Sequence, residues 1–112
     1  MPDQYGYPTE DELKKLAELK APYQIIKCLE YIWWMADWGL VKHWGRSSLS
    51  RKKVLKLELH TGGWSGNEEI IGVLKGHFFW MFFWESSRRG GHYYFEIPAE
   101  NVAIELPQIK KD

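Results

Sequence analysis

Cysteine occurs only once in the 112 residues, at Cys28, so no intrachain disulfide and no thiolate zinc cluster can form. Its place within an apolar, helically spaced stretch reads as that of a small core residue. An excess charge of either sign is also missing. Fifteen Lys and Arg stand against fifteen Asp and Glu, which argues against a general nucleic-acid coat and against a polybasic membrane binder. Long hydrophobic runs are absent too: residues 25–41 are interrupted by Lys27, Glu30 and Asp37, and the apolar run 78–84 is far too short to cross a bilayer as a helix. The opening residues Met1-Pro2-Asp3-Gln4-Tyr5 carry neither the basic start nor the apolar stretch of a secretory signal, so a cytoplasmic location is expected. The four histidines show no His-x-x-x-His or His-Glu-x-x-His spacing, and neither a metal site nor a cofactor is expected.

What the chain does have is aromatic residues: seven Trp, six Tyr and five Phe. The apolar share of 45% and charged share of 27% are those of an ordinary globular protein. One domain spanning residues 1–112 is expected, with an irregular arm at 1–8 and a charged tail at 107–112. There is no internal repeat and no low-complexity tract.

Hydrophobic spacing divides the chain into elements. Thr9 and Glu12 form a capping box that starts a helix running to about Lys20, with Leu13, Leu16 and Ala17 on one face. Pro22 suits the first turn of a second helix, in which Ile25, Leu29, Ile32, Trp33 and Ala36 recur at helical spacing until Gly39. Trp33, Trp34 and Trp38 lie partly off that stripe, which predicts that one or two of them are exposed as a contact surface. Residues 42–53 are basic and read as a solvated loop around Gly45-Arg46-Ser47-Ser48; interleaved with Trp44, they could alternatively contact a phosphate backbone. Leu55, Leu57 and Leu59 alternate with Lys56, Glu58 and His60, the pattern of a half-buried strand. A capping box of Ser65 and Glu68 then predicts a short helix ending near Gly76. The apolar run predicts a strand over 77–85, buried on both faces, and Ser86-Ser87-Arg88-Arg89-Gly90-Gly91 a hairpin leading to an antiparallel strand from His92 to Ile97. Residues 101–106 add a short edge strand in this reading. The fold class is therefore α+β: two N-terminal helices, then β-α-β-β with a further short β, forming a small antiparallel or mixed sheet with helices packed on it. A strand buried on both faces needs cover on both, and a second copy of the chain is one candidate for the second cover.

Two segments offer ligand chemistry. Gly62, Gly63, Trp64, Ser65, Gly66 and Asn67 form a glycine-rich strand-to-helix junction, which brings backbone amides and a helix N-terminus towards a phosphate or carboxylate. The Gly-Lys-[Ser/Thr] ending of a nucleotide-hydrolysing loop is missing, and a structural turn capped by its own side chains is the competing reading. Gly63-Trp64-Ser65-Gly66-Asn67 begins like the Gly-x-Ser-x-Gly elbow of serine hydrolases, but Asn67 replaces the closing glycine. The second segment comprises Arg88, Arg89, His92 and Tyr93, where paired arginines at a glycine-softened turn can grip an anion while flanking rings stack. Its competing reading is a solvated hairpin tip. The two segments converge on one ligand only if the strands leading into them run parallel.

The run Gly62-Gly63-Trp64-Ser65-Gly66-Asn67-Glu68-Glu69-Ile70-Ile71, followed by Trp80, Trp84 and Ser86-Ser87-Arg88-Arg89-Gly90-Gly91-His92-Tyr93, resembles small bacterial and phage proteins that carry no assigned activity. The likeness covers about residues 57–97 and implies a bacterial or phage origin and nothing of function.

The leading functional expectation is a non-enzymatic binding module for a phosphate-bearing small molecule or an acidic protein surface. Nucleic acid is not favoured, and no membrane is expected. A protein-interaction module using exposed Trp and the aromatic sheet stands as an alternative. So does a small enzyme with His92 or His60 as general base and Arg88 and Arg89 as electrostatic stabilisers.

Overall fold

A computed structural model describes residues 6–103, and these form an α+β fold. The elements are α1 (Glu10–Glu18), α2 (Pro22–Ile32), α3 (Ala36–Gly39), β1 (Leu40–Arg46), β2 (Lys53–His60), α4 (Ser65–Lys75), α5 (Phe78–Phe83), β3 (Trp84–Arg88), β4 (His92–Pro98) and α6 (Ala99–Ala103). The four strands make one antiparallel sheet in the order β1-β2-β4-β3.

The N-terminal half follows its local signals. Thr9 accepts the Glu12 amide at 3.1 Å and donates its own amide to Glu12 at 2.9 Å, closing the expected capping box of α1. Pro22 opens α2, where Ile25, Ile26, Leu29 and Ile32 are buried. The helical pattern does not run unbroken to Gly39. Residues 33–35 make a turn in which Met35 takes a left-handed conformation (φ 61°) before the single turn of α3.

Leu55, Leu57 and Leu59 of β2 pair with Ile97, Phe95 and Tyr93 of β4, so these side chains share one face of the sheet. That face meets Leu16, Ile25, Leu29, Ile70, Leu74 and Phe79 from the helices in one core. Each such fully buried side chain contributes roughly 1.5–3 kcal/mol relative to leaving it in water. The other face carries Lys56, Glu58 and His60 of β2 beside Glu96, Tyr94 and His92 of β4, the polar side of a one-sided antiparallel sheet.

Residues 42–53, expected as a loop, instead supply an edge strand and a tight hairpin. β1 pairs along its whole length with β2, which gives its backbone groups partners that a solvated loop lacks. Two cations of the stretch have partners within the fold: Lys42 pairs with Glu30 of α2, and Lys53 lies 4.9 Å from the centre of the Trp44 ring.

The expected strand over 77–85 is the largest departure. Residues 78–83 are helical, and only Trp84 onwards joins the sheet. Helical spacing puts Phe79 and Phe83 inwards with rings 5.2 Å apart, and leaves Met81 and Phe82 exposed. His77 sets this helix. Its Nδ1 accepts the Phe79 amide at 3.1 Å, and its Nε2–H donates to the Leu19 carbonyl at 2.8 Å, tying the start of α5 to the end of α1. Such a distant anchor cannot be read from a local aromatic run. His77→Ala should therefore lower stability by about 2–3 kcal/mol, the loss of a cap plus a carbonyl left without its donor. Chemical denaturation measures it; a change below about 0.5 kcal/mol would remove His77 from this role. A last helix also replaces the expected strand where 101–106 begins, and residues 104–112 lie outside the described part.

Candidate functional site

Because β2 and β3 both pair antiparallel with β4, they run in the same direction with β4 between them. Their C-terminal ends therefore lie at one end of the sheet, and the loop after β2 meets the turn after β3. The Thr61 amide donates to the Gly91 carbonyl at 2.9 Å. Arg88 stands opposite His92 in register, and His92 opposite His60. Arg88, Arg89 and His92 are thus brought to the same edge as Thr61, Gly62 and Gly63.

The loop is a compact turn. The Trp64 amide donates to the Thr61 carbonyl at 3.0 Å, and Gly62 (φ 62°) and Gly63 (φ 79°) take the left-handed conformations this path needs. A Cβ on Gly62 would come within 2.9 Å of the Trp38 ring, whereas a Cβ on Gly63 would meet nothing within 4 Å. Gly63 is the glycine of this loop that faces open space.

The expected capping box of Ser65 and Glu68 does not form. α4 begins at Ser65 with Trp64 at the N-cap and no side-chain cap, because the turn back to Thr61 fixes Trp64 and starts the helix one residue out of frame with the box. Gly66 is buried under the N-terminal arm: a Cβ there would overlap the Gly6 carbonyl oxygen and come within 3.0 Å of the Tyr7 backbone. Gly6 and Tyr7 therefore close over the helix start that was expected to receive an anion. Asn67 is only 1% exposed. It accepts the Trp34 amide at 2.8 Å and donates to the Trp34 carbonyl at 3.1 Å and the Thr61 carbonyl at 3.4 Å. Both Gly66 and Asn67, named as ligand contacts from the sequence, serve the architecture instead. Tyr93 likewise points to the helical face, its ring 5.5 Å from that of Trp80, away from His92.

Aromatic rings continue from the turn across the sheet edge. Trp34 and Trp64 lie 6.3 Å apart, Trp38 and His60 6.3 Å, His60 and His92 5.0 Å, and His60 and Tyr94 6.0 Å. Trp38 is 57% and Trp64 40% exposed, so the ring series forms an open ledge. Its polar members are joined. His60 Nε2 bonds Glu58 at 3.1 Å, His60 Nδ1 meets His92 Nδ1 at 2.7 Å, and His43 Nε2 bonds the other Glu58 oxygen at 3.3 Å. Sequence reading named His60 and His92 separately but missed Glu58 and His43. The alternation of β2 was the available signal, since it puts residues 58 and 60 on one face.

Two other features carry less chemistry. A groove of about 610 Å3 between α1 and α2 is lined by Lys15, Tyr23, Lys27, Cys28 and Tyr31, and burial pushes the Cys28 thiol up from its ordinary pKa, away from the thiolate a nucleophile needs. Among the described residues, no group of three or more His, Cys, Asp or Glu is arranged to hold a metal ion, and no helix is long and apolar enough to cross a membrane.

The fold and this edge define a small α+β protein whose open sheet end unites an arginine turn, a glycine loop and a ledge of rings. No family model, curated protein or solved structure matches the chain.

Proposed function

We propose that this sheet end binds a small anionic ligand carrying a ring, with a phosphate group held by Arg88 and Arg89 and the ring laid on the Trp64 and Trp38 side of the ledge. The observation that carries the reading is the meeting of the two segments, joined by the bond from Thr61 to Gly91. Guanidinium groups form forked hydrogen bonds to phosphate oxygens, and an exposed indole stacks on a flat ring at little entropic cost. Gly63, open to solvent, leaves the loop backbone approachable from the same side. Gly66 and Asn67 are not part of the surface, and Ser65 remains at its rim as the exposed first residue of α4.

Adenosine monophosphate supplies both chemical features and serves as the probe, with quenching of Trp fluorescence as the readout. Arg88→Ala and Arg89→Ala should each weaken its binding by about tenfold or more, the worth of one charge-assisted contact of about 1.5–3 kcal/mol. Both residues are exposed, so the melting temperature should stay within about 3 °C. Unchanged affinity in both variants, or melting losses that parallel the affinity losses, would remove the arginine turn from the site. A trio of predicted effects thus separates binding from folding: affinity, melting temperature and the salt dependence expected of a phosphate contact.

A further inference from the structure

The open face of the sheet holds a hydrogen-bonded chain of ionisable groups that binding alone does not need. Its protonation pattern follows from its acceptors. A carboxylate can only accept, so the contact at 3.1 Å requires that His60 carry its hydrogen on Nε2. A neutral His60 then has a bare Nδ1, and the 2.7 Å contact requires that His92 donate to it from its own Nδ1. His92 is left with a bare Nε2, the one nitrogen of the pair not engaged by the other ring or by Glu58. That atom lies over the arginine turn, since a Cβ on Gly90 would sit 3.3 Å from it.

We infer that His92 Nε2 is a general base, held in this tautomer by a Glu58–His60 relay, and that it activates water against a phosphodiester seated on the arginine turn. The substrate class rests on the binding reading above; the relay does not. In the step, water gives one proton to His92 Nε2 while its oxygen bonds to phosphorus. The phosphorus–oxygen bond to the leaving group breaks, and its electron pair departs with that oxygen. As His92 becomes positively charged, its Nδ1–H can pass to His60, which then faces the Glu58 carboxylate as an ion pair. The positive charge is thereby moved beside a carboxylate, which makes His92 a stronger proton acceptor. Arg88, across from His92 in register, stands where charge builds on the phosphoryl oxygens. Glu58 and His60 act as positioning residues, and His92 is the catalytic one. His43 holds the second Glu58 oxygen and keeps the carboxylate turned towards His60.

Two measurements test this on the intact chain. Long-range nitrogen–proton NMR should find His92 protonated on Nδ1 and bare on Nε2, and in Glu58→Ala the same ring should shift towards the Nε2–H form. This readout needs no ligand and so stands apart from the success or failure of adenosine monophosphate binding. Bis(p-nitrophenyl) phosphate is the second probe, chosen because its leaving p-nitrophenolate needs no proton donor in mildly alkaline buffer. Release of p-nitrophenolate should fall at least 100-fold in kcat for His92→Gln. Glu58→Ala should lose at least about tenfold in kcat with KM little changed, since a merely structural role would not split the two. A His92 ring protonated on Nε2 in the wild type, release no faster than in buffer, or full turnover in His92→Gln would each overturn the proposal.

Discussion

Asn67→Ala is expected to lower the stability of the fold by about 3 kcal/mol or more. The side chain answers three backbone groups from two separate segments, the amide and carbonyl of Trp34 and the carbonyl of Thr61. Each buried group deprived of its partner costs about 1–3 kcal/mol, and partial access of water to Trp34 pulls the sum towards the lower end. The melting temperature should drop by more than about 10 °C. Asn67→Asp should lose nearly as much, because a carboxylate cannot donate to the Trp34 and Thr61 carbonyls and would be buried charged. Ser65→Ala provides the contrast. Its side chain caps nothing, so its effect should stay within about 0.5 kcal/mol. A melting curve for Asn67→Ala superimposable on wild type would show that water can replace the clamp.

The second large effect falls on the contact that unites the candidate site. Gly91 has φ 83°, and a Cβ there would overlap the Thr61 hydroxyl in a nearly fully buried position. Gly91→Ala therefore combines a left-handed conformation, roughly 1–2 kcal/mol, with overpacking of about 1–3 kcal/mol. A total loss of about 2–5 kcal/mol is expected in chemical denaturation. Affinity for adenosine monophosphate should fall with it, because the arginine turn is pushed away from the loop. Arg88→Ala, by comparison, should reduce affinity alone. Thr61→Ala in the same chain removes the hydroxyl that the new methyl group would strike. The double variant should then lose clearly less than the sum of the two single losses. Strict additivity would mean that the turn and the loop are not in contact in solution.

Much of the helical half was legible because its signals are local. The Thr9–Glu12 box, Pro22 at a helix start and the alternating leucines of β2 each act within a few residues, and each appears where the sequence puts it. The aromatic run was misread for a physical reason. Residues 78–83 are apolar at nearly every position, so they carry no period by which strand and helix can be told apart. The deciding groups, the His77 ring and the Leu19 carbonyl, are 58 residues apart. β1 was missed because an edge strand facing solvent on one side need not be apolar, and the partners of its backbone and of Lys42 come from β2 and α2.

The candidate site divides along the same line. Residue chemistry alone picked out Arg88, Arg89, His92 and the loop glycines, since guanidinium pairs, imidazole and backbone freedom are properties of single residues. Which of them act together was a question of strand order, and the placement of β4 between β2 and β3 answered it. That order also separated look-alikes: Asn67 and Gly66 sit beside Trp64 in the chain, yet they face Trp34 and the N-terminal arm. The His60–His92 link of the chain belongs to tertiary structure, because a hydrogen bond of 2.7 Å between β2 and β4 depends on register, and a slip of one residue would turn these side chains to opposite faces. By itself the sequence determined the α+β class, the core face of β2 and the chemical types available at the edge. Packing decided the rest, because buried contacts between distant segments outweigh the small local preferences that a sequence displays.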